Sequence, residues 1–143
     1  MKELRTEIEI NANSDRVWNV LIDFNKYDQW NPFIRKIIGE PIEGSRIDIF
    51  IETPGGKNRK YEPTVTTVNP ELELRWLGKS WALNGEHIFS IEKIQEGHVR
   101  FIQRELFGGL LTGFFGKSLD TDIRQGFEEM NKALKERAEH RTG

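Results

Sequence analysis

His87, Gln103 and Glu105 are the side chains with the clearest chemical potential in this chain. In the stretch from Asn84 to Ile94, His87 alternates in phase with Phe89 and Ile91. In the stretch from His98 to Phe107, Gln103 and Glu105 alternate in phase with Val99, Phe101 and Phe107. Successive side chains of a strand point to opposite faces, so a wall that takes the apolar members takes the polar ones with them. A tight turn at Glu96-Gly97 joins the two stretches as a hairpin. It sets Phe89 and Ile91 near Phe101 and Gln103, and His87 near Glu105. The assignment assumes that no bulge intervenes, because one extra residue would turn His87 or Glu105 outward.

A carboxylate in an apolar cavity must be paired or give up its charge. An imidazole beside it can take up and return a proton near neutral pH, so His87 and Glu105 are candidate acid–base residues. Two quieter readings stand beside that one. The pair can simply satisfy itself at the end of a sheet. It can also fix the polar end of an otherwise apolar ligand, together with Gln103.

Other chemistries lack their residues. The chain has no cysteine. His98 has the wrong alternation to join His87, and His140 lies in the tail, so no metal site and no cofactor is expected. Ser80, Ser90 and Ser118 have no evident His–Asp partners, and no nucleophile elbow or phosphate-binding loop occurs. If the chain is an enzyme, it works without a metal or a covalent nucleophile; the residues lean toward binding.

Tyr61, Trp76, Phe89, Phe101 and Phe127 are the aromatic candidates for a ligand cavity, with Ile123 beside them. Rings of that size suit planar, steroid-like, polyketide-like or acyl molecules. Trp18 reads as core. The apolar, glycine-rich run from Leu106 to Gly116 reads as a gate or as a close-packed connection.

These residues need a frame. Leu119, Ile123, Phe127, Met130 and Leu134 recur at helical spacing, so a long amphipathic helix runs from about Phe115 to Glu139, with Ser118 as its N-cap. Leu4, Thr6, Ile8 and Ile10 alternate with charged residues and form a half-buried strand. A helix follows over Asp15 to Ile22, capped by Ser14 or Asn13, with Val17, Trp18 and Leu21 inward. A short helical turn ends before Pro32. Strands then follow over 34–39, 46–52, 59–68, 71–78, 84–94 and 98–107, with turns at Pro54-Gly55-Gly56, Asn69-Pro70 and Glu96-Gly97. Short connections mean antiparallel neighbours. The order predicts an α+β fold in which a curved sheet of about seven strands grips the long helix.

All 143 residues read as one domain, residues 140–143 being a frayed tail. With a net charge of -2 the chain lacks the basic field that nucleic acid demands. No apolar run approaches the ~20 residues of a membrane span. The opening MKELRTEIEI has no signal-peptide core, which points to a cytoplasmic protein.

The segments VWNVLIDFNKYDQWNPFI, TVNPELELRW, GEHIFSIEKI and FIQRELFGGLL, leading into a long helix, resemble the START-like superfamily in its bacterial polyketide cyclase/dehydrase-type branch. The resemblance covers nearly the whole chain. It implies a helix-grip fold with a cavity between sheet and helix, and it is specific for fold rather than for reaction. It leaves three expectations: a binder of a small, mostly apolar molecule; a cyclase, aromatase or dehydratase that uses His87 and Glu105; and a cochaperone-like interaction module.

Overall fold

The computed structural model describes residues 2–54, 58–79, 84–108 and 117–140, with side chains in the last segment from 121 onward. Strand β1 (Lys2–Ile10) leads into helix α1 (Ser14–Ile22), a single 3-10 turn (Phe24–Lys26) and the short helix α2 (Tyr27–Trp30). Strands β2 (Ile34–Ile38), β3 (Asp48–Glu52), β4 (Asn58–Tyr61), β5 (Thr64–Asn69), β6 (Glu73–Lys79), β7 (Asn84–Gln95) and β8 (His98–Gly108) follow, and then helix α3 (Lys117–Glu139). This is the α+β helix-grip architecture. Its strands divide into an antiparallel sheet of order β1-β8-β7-β6-β5 and a three-stranded sheet of order β2-β3-β4.

The division corrects the single strand expected over 59–68. The chain breaks at Glu62-Pro63, because proline has no N–H for a ladder and fixes its own φ. Residues 58–61 therefore pair with β3, and residues 64–69 with β6. The two sheets stay joined along the outer edge of β5. Gly44 N–H donates to Val65 O at 2.8 Å, Val65 N–H to Ser45 O at 2.9 Å and Ile47 N–H to Pro63 O at 3.0 Å. β6 also begins later than expected, since Glu71 completes the preceding turn at a φ of 66°.

The hairpin that carries the candidate chemistry contains a bulge, but not one that turns its residues away. Lys93 pairs with Val99 and Gln95 with His98, so Ile94 is the extra residue. Carried on unchanged, the pairing of Gln95 with His98 would set Leu106 opposite His87. The bulge beside the turn restores phase and places His87 opposite Glu105, and Phe89 opposite Gln103. Gly97, at a φ of 74°, supplies the left-handed residue the turn requires.

Helix α3 buries Phe127, Met130, Leu134 and Ala138 against the larger sheet. Ser118 is the second residue of this helix rather than a cap before it, and the side chains of Ser118 and Leu119 lie outside the described residues. The other end is capped from a distance: Arg16 of α1 donates to Arg137 O at 3.0 Å and to Ala138 O at 3.3 Å. Asn13 precedes α1, but its side chain makes no cap. Its Oδ1 instead accepts from Gly97 N–H at 2.8 Å, which ties α1 to the β7–β8 turn. Val17, Trp18 and Leu21 are buried as expected. The Pro54-Gly55-Gly56 turn lies outside the described residues after Pro54, as does the Leu106–Gly116 run after Gly108.

Candidate functional site

Between the two sheets and α3 lies a cavity of about 680 Å³. Its lining names one end of the larger sheet: Trp76 and Gly78 on β6, Gly85 and His87 on β7, Glu105 and Phe107 on β8. Ile123 and Phe127 of α3 cover it, Phe33 closes one side, and Ile49, Ile51 and Tyr61 form the opposite wall. Arg46, Arg59, Lys60, Glu62 and Lys79 also contribute.

Of the nine expected ligand-binding residues, Tyr61, Trp76, His87, Glu105, Ile123 and Phe127 line this cavity. Phe89, Phe101 and Gln103 do not. They share the inward face of the sheet but lie further toward the β7–β8 turn, where α3 packs directly on it, and all three are fully buried. Alternation identifies a face; it does not say where along that face the helix lifts off. Phe33 and the β3 residues Ile49 and Ile51 were missed as lining, although Ile47, Ile49 and Ile51 carry the same two-residue period that marked β7 and β8.

His87 is the pivot of a buried polar row. The residue is 3% exposed, and its ring sits among Trp76 (5.3 Å between centroids), Phe127 (5.1 Å) and a stacked Phe89 (4.3 Å). Its Nε2 lies 2.8 Å from Gln103 Oε1. Gln103 Nε2 donates to Asn131 Oδ1 at 2.8 Å, and Asn131 Nδ2 to Thr6 Oγ1 at 2.9 Å. Thr6 in turn donates to the backbone carbonyl of Gln103 at 3.3 Å. The row crosses from β7 through β8 and α3 to β1. Asn131 was absent from the expected site, yet it occupies a stripe position four residues after Phe127, where a polar residue is out of place unless it has a buried partner.

On the cavity side, His87 Nδ1 lies 3.0 Å from Glu105 Oε2. The contact is close without the alignment of a hydrogen bond, and Oε2 is buried with no hydrogen-bond partner. Gly85 makes room for this arrangement: a Cβ there would come 3.1 Å from Glu105 Oε1. Tyr61 stands across the cavity, 45% exposed. Partial burial raises its phenol above the ordinary value; the Arg59 guanidinium opposes that rise and the Glu105 charge adds to it. Among the described residues no His, Asp or Glu cluster could hold a metal ion.

The Trp30-Asn31-Pro32-Phe33 segment acts as a corner. Asn31 is buried and its Oδ1 accepts from Phe33 N–H at 2.9 Å and Ile34 N–H at 2.8 Å, so the chain turns sharply into β2. The turn lays Phe33 against Gly126 of α3 and edge-on to Phe127, with ring centroids 5.6 Å apart.

The family model described as "Polyketide cyclase / dehydrase and lipid transport" matches residues 1–139. The chain belongs to that family. Its likeness to solved structures extends over nearly the whole chain. A START superfamily protein from Mycobacterium smegmatis matches 96% of this chain and 97% of its own, at 19% identity and a TM-score of 0.76. The Zhui aromatase/cyclase from a Streptomyces species matches 99% and 96%, at 14% identity and a TM-score of 0.80. At such identities the likeness establishes the fold alone. No curated protein matches the chain. No described helix of this family member is long and apolar enough to cross a membrane.

Proposed function

We propose that this chain binds a small, mostly apolar molecule in the cavity between α3 and the sheets. The observation that carries the reading is the character of the lining. Rings of Phe33, Trp76, Phe107 and Phe127 line one part of the cavity with Ile49, Ile51 and Ile123, and polar groups line the rest, Glu105 and His87 together with Arg46, Arg59, Lys60, Glu62 and Lys79. An apolar body with one oxygen-bearing end matches that division, and burial of its surface supplies ~25 cal/mol per Å². The family description, which includes lipid transport, supports the same class of ligand.

Native mass spectrometry of the chain, incubated with fatty acids, sterols, flavonoids and aromatic polyketides, tests the reading. A retained adduct that disappears in an Ile123→Trp variant, which fills the cavity from α3, is expected. No adduct from any of these classes sinks it.

A second reading, a cyclase or dehydratase, is favoured by the 3.0 Å approach of His87 to Glu105 within that cavity. It gains support from the aromatase/cyclase among the similar structures. It requires turnover of a polyketide-like substrate that falls sharply in Glu105→Gln. Turnover unaffected by that change removes the pair from the chemistry.

A further inference from the structure

We infer that the row Thr6–Asn131–Gln103 holds His87 with a hydrogen on Nε2, and that His87 and Glu105 hold one further proton in common, either on Nδ1 or on the Glu105 carboxyl. Glu105 is then the member that meets a ligand, and His87 is a positioning residue behind it. The ligand-facing part rests on the cavity reading above; the proton assignment does not.

The direction of the row is fixed by groups that can only accept. Gln103 Nε2 lies 3.5 Å from the carbonyl of Phe127, so this side of the amide must be the NH₂. The Thr6 hydroxyl has one hydrogen, and at 3.3 Å the Gln103 carbonyl claims it. Thr6 Oγ1 can therefore only accept from Asn131, which turns Asn131 Oδ1 toward Gln103 Nε2. Both amides are thereby set, and Gln103 is left with its Oε1 toward His87. An oxygen lone pair 2.8 Å from a bare ring nitrogen would repel it, so Nε2 carries the hydrogen.

The other ring nitrogen follows. A neutral ring with its hydrogen on Nε2 has a lone pair at Nδ1, and Glu105 Oε2 lies 3.0 Å away, shielded from water. A charged carboxylate oxygen buried that close to an uncharged ring, with no hydrogen-bond partner, is unfavourable. A proton on either atom removes the conflict, as imidazolium with carboxylate or as imidazole with carboxylic acid. In both forms the pair is neutral overall and holds one proton. Both residues line the cavity, but the His87 side chain is 4% exposed and walled in by Trp76, Phe89 and Phe127, whereas the Glu105 side chain is 19% exposed. Exchange with a ligand oxygen therefore passes through Glu105.

The test is NMR of the full chain with ¹⁵N-labelled histidine and ¹³C-labelled glutamate. His87 and Glu105 are assigned by the loss of their signals in His87→Gln and Glu105→Gln. The expected spectrum has a protonated Nε2, together with either a bare Nδ1 and a protonated Glu105 carboxyl or a protonated Nδ1 and a carboxylate. A bare Nε2, or a bare Nδ1 beside an ionised Glu105, overturns the inference. Asn131→Leu should replace the single ring form by a mixture, and Asn131→Asp, which keeps an acceptor toward Gln103 Nε2, should restore it. Thr6→Val, nearly the same size, gives a milder form of the same loss. A ring form unchanged in both Asn131→Leu and Thr6→Val overturns the positioning role. Absent ligand adducts with the expected ring form would sink the cavity reading alone; adducts with the wrong ring form would sink this inference alone.

Discussion

The wall built from β6, β7 and β8 and the wall built from β3 and β4 face the same cavity, but they are held in different ways. Beyond the first lie Phe89, Phe101, Gln103 and Asn131, all buried and in contact with α3 or with each other. The second ends in β4, every residue of which is exposed, and its charges pair at the surface, as in Arg46–Glu62 at 3.6 Å and Lys60–Glu62 at 3.4 Å. A group held by rings and hydrogen bonds keeps one position, as a binding or reacting group must. The second wall is anchored through the buried Ile47 and Ile49, and only its β4 edge is held by strand pairing and surface charges, pairs of a kind that contribute ~0–1 kcal/mol. The difference teaches that close packing beyond a cavity wall belongs to the larger sheet, while the smaller sheet ends in an exposed edge.

The sharpest way to break this contrast is to remove a ring from the packing beyond the first wall. Phe101 is fully buried and stacks on Phe89, with centroids 6.0 Å apart. Phe101→Ala should lose about 3–5 kcal/mol in urea unfolding, through lost burial and the cavity left behind. A loss below 1 kcal/mol would mean that the region is not close-packed, and the contrast would fail.

Next comes the polar row. Gln103→Leu leaves His87 Nε2–H and Asn131 Oδ1 without their partner, and each stranded group costs about 1–3 kcal/mol. The same measurement on Tyr61→Ala, across the cavity, should stay within about 0.5 kcal/mol. Tyr61→Ala should still weaken ligand binding, measured by adduct retention, because Tyr61 lines the cavity. Equal destabilisation by the two changes would erase the distinction between the walls.

A third change acts where the walls meet. A Cβ at Gly126 would fall 2.3 Å from Cδ1 of Phe33, a ring that cannot bend away like a lysine tip. Gly126→Ala should cost about 1–3 kcal/mol by overpacking, against about 1 kcal/mol returned by the better helix former. A net gain in stability would show that Phe33 moves freely, and the corner at Asn31 would no longer be a fixed one.

How much of this could be read beforehand follows the periods. The stripe on α3, the alternation of β1, β7 and β8, and the inward face shared by His87 and Glu105 are local patterns, so they were legible, whereas the pairing of His87 with Glu105 rests on the bulge at Ile94. Two further things were not. The break at Glu62-Pro63 was visible as a proline, but the competing extended run from Arg59 to Val68 hid it. The extent of the cavity depends on where α3 parts from the sheet, which is a property of two distant segments; this is why Phe89, Phe101 and Gln103 were expected to line the cavity and instead lie on the same face beyond it, under α3. Asn131 stood in plain view as a polar residue in an apolar stripe. Its partners, Gln103 and Thr6, are 28 and 125 residues away, and nothing local pairs them.

The smallest effect lies at the far edge of the well-held region, where α3 ends against β1. Glu139 accepts a hydrogen bond from Lys135, its neighbour one turn back, and another from Asn11 N–H at 2.7 Å. Both stabilise the carboxylate, the lysine more, and they hold Glu139 below the ordinary glutamate value of 4.5. A group whose value is lowered on folding adds stability above its unfolded value and loses it as pH falls through the folded one. Stability should therefore begin to erode below about pH 4.5, and the erosion should be shallower in Glu139→Gln, which has no charge to lose. The comparison needs only the difference between two acid limbs of thermal unfolding, so the other carboxylates cancel. Identical limbs would mean that the Lys135–Glu139–Asn11 contacts are absent in solution, and that the firm packing of α3 stops at Ala138.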